Sequence, residues 1–204
     1  GRGCSISQCA ASANGAKGIH ASVGSTVLGC SASNNAGDGI DVLAQSTVAD
    51  CTAISNGGTG ISASSESTVT GCTSDQNDLN GFDVNLGAII RGCTARSNGF
   101  DGITAARSFV VGNYCHFNGA AGIDVTSGDS RIEGNNCVEN QQGIDVDLPG
   151  SIIIRNTCSG NAVNWSVVAG NVCLVVNAVS SGAINGNSGG TPPGSTDPNA
   201  NFSF

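Results

Sequence analysis

A short alternation of apolar and polar residues returns along this chain at a nearly fixed interval, always beside the same dipeptide. Gly followed by a large apolar residue stands at Gly18-Ile19, Gly39-Ile40, Gly60-Ile61, Gly81-Phe82, Gly102-Ile103, Gly122-Ile123 and Gly143-Ile144, spaced 21, 21, 21, 21, 20 and 21 residues apart. A few residues earlier in each unit is an Asn: Asn14, Asn35, Asn56, Asn77, Asn98, Asn118 and Asn140, with an eighth at Asn161. Between these columns run short alternating stretches such as Gly-Ile-Asp-Val at 39–42, Ser-Thr-Val at 25–27 and Cys-Ser-Ala at 30–32, separated by turn-forming Asn, Gly and Ser. Runs of this length with period two predict strands, and no window carries the apolar period of a helix. Each unit therefore predicts three short strands and three turns. Stacking the units about 4.8 Å apart pairs every strand with its equivalent one turn up and makes three parallel sheets around one core.

A third column is Cys9, Cys30, Cys51, Cys72 and Cys93, continued at the same position by Asn113, Asn135, Asn156 and Asn171. In those later units the cysteine moves two residues on, to Cys115, Cys137, Cys158 and Cys173. A shift of two keeps a side chain on one face of a strand, so both cysteine sets are expected to point inward. A leucine-rich repeat has a similar period but needs several Leu per unit, and the chain has six in all. A left-handed hexapeptide helix repeats in multiples of six, which 21 is not. The expected fold is all-β: a right-handed parallel β-helix, or solenoid, of about eight 21-residue coils over 1–176, followed by a C-terminal cap or strap and Gly/Ser/Pro-rich tail over 177–204.

The phrases Asn-x-x-x-Gly-Ile-Asp-Val and Ile-x-Gly-Asn-x-Cys, the latter at Ile132 to Cys137, resemble right-handed β-helix repeat proteins of the pectate-lyase-like superfamily. The resemblance covers residue 4 to about 176. It implies the architecture but no single activity, because that superfamily holds lyases, hydrolases, epimerases, phage tailspikes and proteins without known catalysis.

Composition narrows the picture. Thirty-one Gly, no Met, one Trp and one Tyr leave small side chains to fill a narrow interior. The net charge of -8 repels phosphate backbones and anionic lipid, so nucleic acid is not an expected partner. No stretch of about 20 apolar residues is present, so membrane insertion is not expected either. The start, Gly1-Arg2-Gly3-Cys4, reads as that of a processed or excised fragment without a signal peptide. Ile6 is already in register there, so the N-terminal end is expected to be uncapped, having lost upstream sequence or meeting a partner end to end. At the other end the period breaks after Asn161, Trp165 replaces the expected Ile, and an apolar run from Val172 to Val179 precedes the tail, which Phe202 and Phe204 are expected to anchor.

Ten cysteines raise the questions of disulfides and metal. Equivalent residues on stacked strands lie about 4.8 Å apart at Cβ, beyond the roughly 3.8 Å that a relaxed disulfide prefers. A straight column gives zinc no converging ligands, and there is no Cys-x-x-Cys pair. Free, buried cysteines are expected, with Cys4 and Cys9 the best placed for a disulfide.

Candidate chemistry lies beside the Ile column. The outward position reads His20, Asp41, Ser62, Asp83, Thr104, Asp124 and Asp145, and two residues on it reads Ser22, Leu43, Ser64, Asn85, Ala106, Thr126 and Asp147. Acids and neutral residues alternate until the last two coils, where Asp124, Asp145 and Asp147 converge beside Thr126. Carboxylates about 5 Å apart raise one another's pKa for acid–base work or share a Ca²⁺. These three are therefore the candidate catalytic residues and the candidate calcium ligands. The resemblance adds that pectate-lyase-like enzymes bind substrate along an outer sheet face with acids and calcium, and often use Arg or Lys as base. Arg107 and Arg131 lie in nearby coils on other segments.

His20 and His116 are expected to be surface residues without partners. The columns Thr26, Thr47, Thr68 and Ser31, Thr52, Thr73, Thr94 suggest a hydroxyl face that orders water or ice, although the strand bias of Thr explains them. Asn164-Trp165-Ser166 and Asn201-Phe202-Ser203 match the glycosylation triplet. The functional expectation is a secreted or cell-surface repeat domain with a structural or polysaccharide-binding role. The alternative is a polysaccharide-processing enzyme of lyase, hydrolase or epimerase type using the outward acids. Uniform coil length speaks against it, since no long turn walls a cleft.

Overall fold

A computed structural model describes residues 3–177 and 198–204. Its strands build a nine-stranded sheet from Ser5–Ser7 to Val172–Cys173, a ten-stranded sheet that starts at Ala10–Ser12, and an eight-stranded sheet from Ile19–Ala21 to Val163–Val167. Pairing is parallel, and the register is that of the repeat: Ile19 faces Ile40, Ile40 faces Ile61 and Ile61 faces Phe82. The expected solenoid of about eight coils is thus the fold. Most strands are three residues long because a residue of positive φ closes them, as Asn34, Ser55, Gln76 and Ser97 do after the ten-stranded sheet.

The three sheets contribute unequally to the core. The eight-stranded sheet sends in Ile19 to Ile144, and the nine-stranded sheet sends in Val27, Val48, Val69, Ile90, Val110, Ile132 and Ile153. The ten-stranded sheet answers with Ala32, Ala53, Ala95, Cys115, Cys137 and Cys158, all fully buried. Large residues on two sides against small ones on the third fill the narrow interior. Each buried Ile or Val stabilises by about 1.5–3 kcal/mol.

The Asn column forms a directional ladder. Asn35 donates from both its backbone N–H and its Nδ2 to Asn56 Oδ1, at 3.1 and 2.9 Å, and Asn56 does the same to Asn77. The second Nδ2 hydrogen goes to a carbonyl, Ala32 O in the case of Asn56. Every polar atom of the buried amide is therefore matched, which removes the usual cost of burial. The glycines beside the Ile column serve this ladder by close approach and do not take positive φ. A Cβ at Gly39 would lie 2.7 Å from both Asn56 Nδ2 and Gly60 O.

The cysteines depart from expectation in two ways. All ten are free, but the two sets occupy different columns. Cys30 to Cys93 lie at the corner between the nine- and ten-stranded sheets, whereas Cys115, Cys137 and Cys158 continue the alanine column, facing Ala95 and one another. Cys4 and Cys9 are exposed and unlinked. The extended strand Ser5–Ser7 between them holds them about 10 Å or more apart, too far for a disulfide. Cys4 heads a serine column through Ser25 at 3.1 Å.

The Asn113 column ends on Asn201, not Asn171. Asn171 Oδ1 instead accepts from Ser151 N in the serine column, while Asn156 donates to Asn201 Oδ1 at 2.9 Å. The strand Asn201–Ser203 enters the ten-stranded sheet between Thr157–Ser159 and Val175–Asn177. Its anchor is the buried Asn201, whereas Phe204 is exposed. That burial also removes Asn201 from the surface where the glycosylation triplet would act. Most of the expected strap, residues 178–197, lies outside the described residues.

Candidate functional site

The outward column of the eight-stranded sheet stacks as expected, His20 on Asp41, Asp83 on Thr104, Thr104 on Asp124 and Asp124 on Asp145. At its N-terminal end His20 is not alone. Its Nδ1 lies 2.6 Å from Asp41 Oδ2, which also accepts from Lys17 Nζ at 2.7 Å. The hydrogen bond to Asp41 raises the Lys17 pKa against a smaller effect of burial. His116 also has a partner, with Nε2 2.9 Å from Glu139 Oε2.

At the other end Asp124, Asp145 and Asp147 come together. One carboxylate oxygen from each lies within 4.8 Å of the others. Asp124 Oδ1 is buried and has no hydrogen-bond partner. Burial, then the charges of Asp101, Asp147 and Asp145, push the Asp124 carboxyl up to about 7. Among the described residues no ion pair reaches the trio. Arg107 lies 3.6 Å from Asp129, and Arg131 is held by Glu133 at 2.7 Å.

Asp101 is a fourth acid, absent from the sequence expectation. It sits in the turn before Gly102, where it accepts from Ala121 N at 2.9 Å and from Thr104 Oγ1 at 3.2 Å. Burial raises its pKa, those two bonds oppose the rise, and Asp145 and Asp147 add to it. Its column reads Asp38, Thr59, Asn80 and Asp101, a signal visible in the sequence but lying outside the strand. Thr126 keeps its register with the following coil, where Val125 pairs with Val146 and Asp147 N donates to Val125 O at 3.1 Å. The slip lies toward the preceding coil: Ala106 faces Ser127, and the Thr126 hydroxyl donates to Ala105 O at 3.4 Å.

These residues fit a hard cation. Two oxygens bound to one Ca²⁺ at its usual distance cannot lie more than about 5 Å apart, and the trio meets that limit. The unpartnered Asp124 oxygen lacks the neighbour that burial requires, and an ion or a proton would supply one. Bound there, a cation would contribute positive charge and open coordination positions toward the sheet face.

A three-sheet parallel solenoid of 21-residue coils is a β-helix. The chain belongs to the right-handed β-helix family, whose model, "Right handed beta helix region", matches residues 1–109. No curated protein matches the chain. Solved structures do. The mannuronan C-5 epimerase AlgE6 A-module of Azotobacter vinelandii is 19% identical, with TM-score 0.72 over 84% of this chain and 58% of its own. The periplasmic alginate epimerase AlgG is 20% identical, with TM-score 0.68 over 76% and 46%, and the pectate lyase Pel9A is 18% identical, with TM-score 0.60 over 76% and 50%. At these identities the likeness is one of fold, and this chain spans about half the length of the structures it matches.

Proposed function

We propose that the chain binds an extended acidic polysaccharide along the outer face of the eight-stranded sheet, through a Ca²⁺ held by Asp124, Asp145 and Asp147. The proposal places it outside the cell or at its surface. The convergence of three carboxylates, one of them Asp124 with a buried, unpartnered Oδ1, carries this reading. Strands about 4.8 Å apart give a flat face on which a linear polymer meets like side chains at regular intervals. With a net charge of -8 on the protein, an acidic polymer needs a bridging cation. The structural neighbours named for mannuronan or alginate epimerases and pectate lyase agree with such a ligand class. Co-sedimentation with alginate and polygalacturonate, with calcium and with chelator, tests it. Binding should require calcium and disappear in Asp145→Asn; equal binding in chelator would sink the proposal.

A second reading is favoured by one observation. A carboxyl pushed up to about 7 holds a proton near neutrality and is suited to acid–base chemistry on a sugar. In that case Asp124, Asp145 and Asp147 would be catalytic residues of a lyase, hydrolase or epimerase. Product analysis of the same polymers decides between the two. Turnover abolished by Asp124→Asn or Asp145→Asn would establish the enzyme, and binding without turnover would leave the binding domain.

A further inference from the structure

A corner of the solenoid away from the acid trio breaks the repeat in a way that serves no core. The residue closing each of the first eight strands of the ten-stranded sheet has positive φ, and in seven of them it is small, polar or Gly: Ala13, Asn34, Ser55, Gln76, Ser97, Glu139 and Gly160. In the remaining coil it is Phe117, at φ 57° and 59% exposed. A bulky side chain in the left-handed region costs strain, and an exposed ring recovers none of it through burial. The neighbouring hydroxyl column Ser31, Thr52, Thr73, Thr94 likewise runs into an exposed ring at Tyr114.

His116 joins the two. Its ring stacks on Tyr114 at 5.7 Å between centroids and meets Phe117 edge-on at 4.6 Å. The contact with Glu139 at 2.9 Å holds it there. Beside Phe117 opens a groove of about 700 Å³, lined by Gly119, Glu139, Gln141, Gly160 and Ala162 as well as Phe117 itself.

We infer that this corner is a platform for a pyranose ring: Phe117 and Tyr114 take its C–H face, while Glu139 and Gln141 bind its hydroxyls. A sugar ring is apolar on its faces and polar around its rim, matching exposed aromatic rings bordered by a carboxylate and an amide. The inference rests on the polysaccharide reading above and adds a second contact, independent of cations, to the same polymer.

Tyr114 is the chain's only tyrosine, so 3-fluorotyrosine labelling gives one ¹⁹F resonance at the platform. The probe is cellohexaose in chelator, a neutral ligand that cannot bridge through calcium. It should shift the resonance, and Phe117→Ser, which restores the residue found at Ser97, should weaken binding roughly fivefold to tenfold with the fold retained. Calorimetry on Tyr114→Thr provides a second variant and should show a similar loss. A silent resonance with both cellohexaose and oligomannuronate, or unchanged binding in both variants, overturns the inference. Calcium-dependent alginate binding with a silent Tyr114 would overturn the platform and leave the acid-trio reading standing. A shift by cellohexaose without any calcium-dependent binding would support the platform and sink that reading. Loss of self-association in the variants with no sugar response would make the corner a contact between copies, again overturning it.

Discussion

Coils two to five and coils six to eight are written in one repeat, but they treat it differently. In the earlier coils the ladder steps are 21 residues, and Cys30, Cys51, Cys72 and Cys93 repeat without change. In the later coils the ladder steps by 20 and then 22, a register slip sets Ala106 against Ser127, and asparagine replaces cysteine at the corner. Both the acid trio and the aromatic groove lie in this later half. Asp124 lies on Asp145 at the regular step of 21, so the acid trio is still like over like, whereas the aromatic corner is a substitution within the repeat. The difference separates the part of the chain that holds the stack from the part that carries chemistry.

The widest effect should come from breaking the regular half. Asn56→Ala strips partners from Asn35 N and Nδ2, Asn77 Oδ1 and Ala32 O, all in a buried ladder. Unfolding in urea should show a loss of about 4 kcal/mol or more, against about 1–2 for Asn161→Ala at the part-buried end. Equal losses would mean that the ladder is not what distinguishes the interior coils.

Next in size is the pH response of the irregular half. Asp124 has a folded pKa of about 7 against an ordinary 3.8, so the native state binds the extra proton. Stability should therefore fall as pH rises from about 4 to about 7, by an amount on the order of 2–4 kcal/mol. Asp124→Asn should flatten that fall and be more stable than the parent at neutral pH, as read by thermal melts across the range. Calcium at about 100 times its Kd should restore about 2.7 kcal/mol to the parent and little to Asp145→Asn, as differential scanning calorimetry would show.

The smallest effects belong to the cysteines. Thiol titration under denaturant should count ten, and only Cys4 and Cys9 should react quickly in the native state. Burial pushes the Cys137 thiol well above its ordinary value and keeps it unreactive. Cys4→Ser, which matches Ser25 and Ser46 in its column, should change stability by less than about 0.5 kcal/mol.

Interlocked columns made the coils, the sheets and the acid trio legible in the sequence, because stacking turns a period of 21 directly into contact. What stayed hidden depends on local departures from that period. Thr126 is the residue left without a partner on the preceding strand, and spacing alone does not say which residue the slip leaves out. Asn171 comes only 15 residues after Asn156 but 20 after Ser151, so it joins the serine column, and Asn201 returns to take the place above Asn156. Asp101 lies in a turn, where strand alternation gives no direction for its side chain. Phe117 looks like any surface aromatic until its positive φ is known.

The returning strand Asn201–Ser203 also sets an order of assembly. Most rungs can be laid as the ribosome delivers them, since each needs only the next twenty-odd residues. The one that Asn156 requires is 45 residues away, and Val175–Asn177, which pairs with that same returning strand, enters the sheet only with it. Doubling a loop costs only about 0.6 kcal/mol, so the finished molecule scarcely registers the detour. A growing chain does: its last gap must stay open, with Asn156 and Ile153 O awaiting Asn201, until translation has reached that residue.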